Sequence, residues 1–162
     1  MRKRSITDEA LASEALFDTL FPLSRCKVHS WHPPDSKPYF TRLLYLPKDG
    51  KRYHIDLIVQ VDRRLYLIEV KGDLSDSDVD YTKLIELIRE FSVTEMVSLF
   101  QRQGERFDVM PQEVIPVFAA RIPSDRFVTN HLDQAILIVD DSGIYPLTDA
   151  GAAFLNDVGL DS

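Results

Sequence analysis

The stretch Tyr53-His-Ile-Asp56-Leu-Ile-Val-Gln-Val61-Asp-Arg-Arg64-Leu-Tyr-Leu-Ile-Glu69-Val-Lys71-Gly72 decides how this chain is read. Asp62-Arg63 separates two runs rich in Ile, Leu and Val, so the segment predicts a β-hairpin with a tight turn. A two-residue turn sets Val61 opposite Arg64. Counting back, Ile58 faces Leu67, Asp56 faces Glu69 and His54 faces Lys71. Side chains alternate along a strand, so these last three pairs share one face. The reverse face carries Ile55, Leu57, Val59 and Val61 against Tyr66, Ile68 and Val70, and is apolar apart from Arg64. That face is expected to be core.

Two carboxylates placed opposite each other on neighbouring strands destabilise the pairing. Lys71 offsets part of that cost, and a divalent cation would offset more. Mg²⁺ and similar hard cations take one or two carboxylates together with water and substrate phosphates. Asp56 and Glu69 are therefore candidate metal ligands, with the backbone carbonyl of Val70 as a third donor. Lys71 is a candidate for positioning a water molecule and countering charge that develops on a phosphate. An ion-pair cluster at the solvated end of a hairpin accounts for the same spacing without any chemistry.

Outward from the hairpin, residues 7–21 have helical periodicity, with Thr7 as cap and Pro22 as stop. Residues 24–38 are rich in Pro, Ser and His, with a short strand at Lys27–His29. Tyr39–Leu46 reads as a strand, Pro47-Lys48-Asp49-Gly50 as a turn, Arg52–Val61 as the second strand and Arg64–Lys71 as the third. Helices are expected at about 78–91 and from Ser92, where Ser92-Val-Thr-Glu95 is a capping-box pattern. Val114–Ala120 is a strand. A short helix at 124–133, strands at Ala135–Val139 and Gly143–Leu147 and a helix at Thr148–Val158 complete the chain. The order is α-βββ-α-β followed by α-β-β-α, an α/β layout around one sheet.

Asp56-Leu-Ile-Val followed by Ile-Glu69-Val-Lys71-Gly resembles the core motif of the PD-(D/E)XK nuclease superfamily. That superfamily includes restriction endonucleases, archaeal Holliday-junction resolvases and VRR-type nucleases. The Asp-to-Glu spacing is similar to that of the resolvases. The resemblance spans about residues 7–121, and its specific part is 53–72. It implies a restriction-endonuclease-like αβββαβ core with a central mixed sheet flanked by helices, plus a C-terminal extension at 122–162, all in one domain. It also implies hydrolysis of DNA phosphodiester bonds, by default endonucleolytic, with Mg²⁺ or Mn²⁺ held by Asp56 and Glu69 and with Lys71 as the catalytic lysine. Many members add a glutamate from the first helix. Glu14 is the favoured residue here and Glu9 the alternate. Lys83, near the start of the helix after the motif, and His54, beside Lys71, are candidates for phosphate contact. Ile55 stands where the family pattern has proline.

The 162 residues are one domain's worth, and 44% hydrophobic with 28% charged residues is an ordinary globular balance. The formal charge of −7 argues against nucleic-acid binding through overall basicity. Basic residues gather locally at Arg2-Lys3-Arg4, between Lys48 and Arg52, and at Arg63-Arg64. Asp73, Asp76, Asp78 and Asp80 directly follow the motif and would repel a phosphate backbone. A catalytically silent fold acting as a binding or assembly module, as a homodimer or with a basic partner, is therefore a second expectation. An unrelated α/β domain with a chance motif is a third. No apolar run is long enough to span a bilayer, and no secretory leader is visible. Cys26 is the single cysteine, which points to a reducing cytoplasm and a small buried side chain. Zinc-type Cys/His spacing, a phosphate-binding glycine loop and a nucleophile elbow are all missing.

Overall fold

Asp62 adopts a left-handed conformation (φ 51°), which a short polar side chain tolerates. The turn it makes sets Val61 opposite Arg64, Ile58 opposite Leu67 and Leu57 opposite Ile68, as the alternation predicts. The computed structural model describes residues 7–33 and 43–160. In chain order these form α1 (Asp8–Leu20), β1 (Lys27–Trp31), β2 (Tyr45–Lys48), β3 (Lys51–His54), β4 (Leu57–Val61), β5 (Arg64–Asp73), a 3₁₀ turn (Leu74–Asp76), α2 (Asp78–Arg89), α3 (Val93–Arg102), β6 (Glu113–Ile122), α4 (Asp125–Asn130), β7 (Ala135–Asp140), β8 (Gly143–Pro146) and α5 (Asp149–Val158). Arg2-Lys3-Arg4 and residues 39–42 lie outside the described residues.

The chain is α/β, with a mixed six-stranded sheet in the order β1-β4-β5-β6-β7-β8. β5–β6 and β6–β7 pair in parallel, and the remaining neighbours are antiparallel. Both faces are covered, which is why the central strands read as unbroken apolar runs. On one face Leu57, Val59, Ile68 and Val70 pack with Leu16 and Leu20 of α1 and Phe154 and Leu155 of α5. On the other, Ile58, Leu65 and Leu67 pack with Leu84 and Leu87 of α2 and Met96 and Phe100 of α3. Phe118 and Ile136 extend that side onto Tyr81 of α2 and Phe127 of α4. Thr7 caps α1, and the capping box of Ser92 and Glu95 starts α3. No described helix is long and apolar enough to cross a membrane.

Three expectations are corrected. The strand that pairs with β4 on the side away from β5 is β1, which runs on to Trp31, and the described end of the expected strand Tyr39–Leu46 belongs to the separate β2–β3 hairpin. That hairpin turns at Asp49-Gly50, both at positive φ, so Pro47 and Lys48 remain in the strand. The expected strand Arg52–Val61 breaks at Ile55-Asp56. Ile55 therefore packs with Ile58 on the α2/α3 side, and His54 pairs with Tyr45 and does not face Lys71. The C-terminal extension adds β7 and β8 to the same sheet, in keeping with a layout around one sheet.

α5 approaches β7 so closely that a Cβ on Gly151 would lie 2.5 Å from the Ile136 carbonyl oxygen. Helix propensity alone makes Gly151→Ala stabilising by about 1 kcal/mol. The backbone clash reverses the sign. Urea unfolding is expected to show Gly151→Ala destabilised by about 2 kcal/mol.

Candidate active site

β4 stops at Leu57, and a side chain takes over the ladder. The Val70 N–H donates to Asp56 Oδ2 at 2.8 Å, where a backbone carbonyl of a continuing strand would stand. The Asp56 carbonyl accepts the His32 N–H at 2.8 Å, which holds this corner against the end of β1. Asp56 thus stays beside β5 although its neighbours upstream have left the sheet. Since N–H and C=O of one strand residue point to the same side, the Val70 carbonyl also points toward this corner.

Glu69 lies on the α2/α3 side of β5 and is only 7% exposed. Its Oε2 accepts the Tyr53 O–H at 3.2 Å, a contact made possible by the break that carries β3 across this face. Burial raises the Glu69 pKa, and the Asp56 charge raises it further against the opposing pull of Lys71 and the Tyr53 hydroxyl. Asp56 is raised too, by burial first, with the Val70 N–H and Lys71 opposing and Glu9 adding to the rise. Two desolvated carboxyls side by side retain a proton well above the usual carboxylate range, or take a cation in its place.

Lys71 Nζ lies 3.0 Å from Asp80 of α2 and 3.8 Å from Glu9 of α1. Burial lowers the pKa of this ammonium, but Asp80, Glu69 and Glu9 outweigh it and hold the group protonated. An open cleft of about 500 Å³ surrounds it, between the start of α1, the end of β5 and the start of α2. The acidic stretch does not fold away from the site. Asp73 caps the 3₁₀ turn through Ser75, Asp78 pairs with His131, and Asp80 turns back onto Lys71.

The structure brings Asp56, Glu69 and Lys71 to one corner of the sheet. Glu9 is the helix carboxylate beside Lys71, whereas Glu14 lies half-buried further along α1. Lys83 is exposed on α2 and does not line the cleft. His54 is half-buried between Tyr45 and His32. Burial, then His32 and Arg52, depress its pKa. Tyr53, His32 and Asp80 were not singled out as site residues by periodicity. Tyr53 reaches the corner only through the strand break, which leaves no pattern in the sequence, and His32 reaches it by extending the pairing of β1 past Trp31.

The donors suit a hard divalent cation, being carboxylate oxygens with a strand carbonyl beside them. No group of three His, Cys, Asp or Glu side chains converges to hold a metal among the described residues. A cation here would draw on the Asp56 and Glu69 carboxylates, with water and phosphate oxygens supplying the rest. Comparison with protein-family models, with curated proteins and with solved structures finds no match to this chain.

A carboxyl whose native pKa lies above its unfolded value binds a proton on folding. Its contribution is full below the unfolded value and is lost as pH rises through the native one. For Glu69 the loss begins near the ordinary 4.5 and continues upward. In metal-free buffer, stability should therefore fall between pH 5 and pH 8. Glu69→Gln should flatten that fall and exceed wild type at pH 8 by about 1 kcal/mol. Urea titrations at both pH values measure this, and an unchanged pH slope in the variant would contradict it.

Proposed function

We propose that this chain is a divalent-metal-dependent nuclease with a restriction-endonuclease-like PD-(D/E)XK core, hydrolysing DNA phosphodiester bonds endonucleolytically. The observation that carries the reading is the desolvated pair of Asp56, just before β4, and Glu69 on β5, with Lys71 two residues beyond. The order of elements supports it. A helix (α1) precedes three antiparallel strands (β1, β4, β5), and helices α2 and α3 lead to a parallel strand (β6), with the β2–β3 hairpin inserted.

In this reading Asp56, Glu69 and the Val70 carbonyl hold Mg²⁺ or Mn²⁺, and Glu9 is the first-helix carboxylate nearest the site. The cation supplies Lewis-acid polarisation of a phosphate oxygen and lowers the pKa of water. The Val70 N–H fixes the Asp56 rotamer and leaves Oδ1 for a ligand. The Tyr53 hydroxyl orients Glu69 in the same way through Oε2. Lys71, held by Asp80 and Glu9 at rest, exchanges those carboxylates for phosphate oxygens and counters their developing charge. Cys26 takes no part: its thiol contacts the Val158 carbonyl at 3.7 Å, and burial pushes its pKa up to about 11. A lone inert thiol accords with a reducing cytoplasmic setting.

A second reading is favoured by one specific feature. Lys71 is already neutralised by Asp80 and Glu9, and the chain is acidic overall. A catalytically silent module, working as a homodimer or with a basic partner, would have that character. Supercoiled, linear and branched DNA incubated with Mn²⁺ separates the two. Wild type is expected to cut, and Glu69→Ala and Lys71→Ala to cut at least about 100-fold more slowly. Equal rates in all three proteins, or no cutting by wild type, would leave the silent module.

A further inference from the structure

The β2–β3 hairpin stands outside the main sheet, and its two faces differ. Leu46 is fully buried in the α2/α3-side core, and Tyr53 on the same face reaches Glu69. By alternation the other face, with Tyr45, Pro47, Arg52 and His54, points outward. On it the Arg52 guanidinium lies 4.7 Å from the centre of the Tyr45 ring. The His54 ring meets Tyr45 edge-on at 5.7 Å, and His32 follows His54 at 5.9 Å. The His32 N–H ends the series on the Asp56 carbonyl. Arg52, Tyr45, His54 and His32 thus form a continuous strip leading to the candidate site, with Arg52 and His32 exposed and the two rings between them half-exposed.

We infer that this strip is a binding track for single-stranded DNA, which it guides to the Asp56/Glu69 corner; the inference rests on the nuclease reading. Planar side chains at successive positions offer stacking faces to unpaired bases, and Arg52 adds a charged plane. Lys48 and Lys51 flank the hairpin turn, so its residues 45–54 carry three basic side chains against the single acid Asp49. Around Lys71 the charges are reversed, with Glu9 and Asp80 in contact with it. Of these two approaches to the corner, a polyanion meets the more favourable charge on the hairpin side. A duplex keeps its base faces stacked inside and cannot use the rings, whereas an unpaired strand uses both rings and charges. The hairpin is anchored to carry such a load. The Gln103 side chain accepts the Tyr45 N–H at 2.9 Å and donates to the Tyr45 carbonyl at 2.8 Å, so trimming the Tyr45 ring leaves its backbone held.

Fluorescence anisotropy tests this with the full chain in EDTA at low salt. The probes are a labelled mixed-sequence single strand of about 12 nucleotides and a blunt duplex of the same sequence. Wild type should prefer the single strand. Tyr45→Ala should weaken that binding about tenfold, and Arg52→Ala should lower the salt slope by about 0.7. His32→Ala should weaken binding while leaving thermal unfolding unchanged. Preference for duplex, no single-strand binding, or wild-type affinity in Tyr45→Ala and Arg52→Ala would overturn the inference, and Glu69-dependent cutting in Mn²⁺ would survive that result. Tyr45-dependent binding of the single strand without any cutting would instead sink the nuclease reading and keep the track.

Discussion

The hydrogen bond from the Val70 N–H to the Asp56 carboxylate organises this molecule's functional corner. A strand that loses its ladder partner leaves a polar backbone group to be satisfied. Here a side chain does it, so β4 can end at Leu57 without exposing an unpaired donor on β5. The consequences spread outward. Ile55 turns into the α2/α3-side core, β3 leaves the sheet, and Tyr53 crosses to reach Glu69. The same bond keeps Asp56 against Glu69 in a place where both are desolvated. What would be a flaw in a plain hairpin is, in the proposed nuclease, the place where a cation would sit.

Charge is distributed around that corner in two opposed sectors. Glu9 and Asp80 close on Lys71 from α1 and α2, and the hairpin presents Arg52 with its aromatic neighbours. Lys71 is thereby kept protonated and internally paired. In the proposed nuclease this arrangement would offer a DNA strand a local basic face on a chain of formal charge −7.

Much of this was legible in the residues and some was not. The register of Leu57–Val61 against Arg64–Ile68 follows from a two-residue turn and alternation, because a one-residue slip would turn Glu69 into the α1/α5-side core. The nearness of Asp56 to Glu69 follows from the same count. The break at Ile55-Asp56 does not. An aspartate within an apolar run looks the same whether its carboxylate faces solvent or replaces a ladder acceptor. For that reason His54 was placed opposite Lys71, and the role of Tyr53 stayed hidden. The outer strand was misplaced for a related reason. Tyr39–Leu46 has the composition of a sheet strand, while Lys27–Trp31 owes its place to pairing with β4 across a bulge between Val28 and Ser30. The acidic run at 73–80 was visible as a charge problem, but only its fold shows that Asp80 answers Lys71.

The decisive question is whether the Asp56/Glu69 pair holds a cation. A crystal soaked in Mn²⁺ answers it through anomalous scattering. The predicted result is a peak bridging the two carboxylates, with oxygen distances of about 2.1 Å and the Val70 carbonyl in the coordination sphere. Carboxylates still sharing a proton, with Asp56 on Val70, Glu69 on Tyr53 and no anomalous density between them, would contradict it.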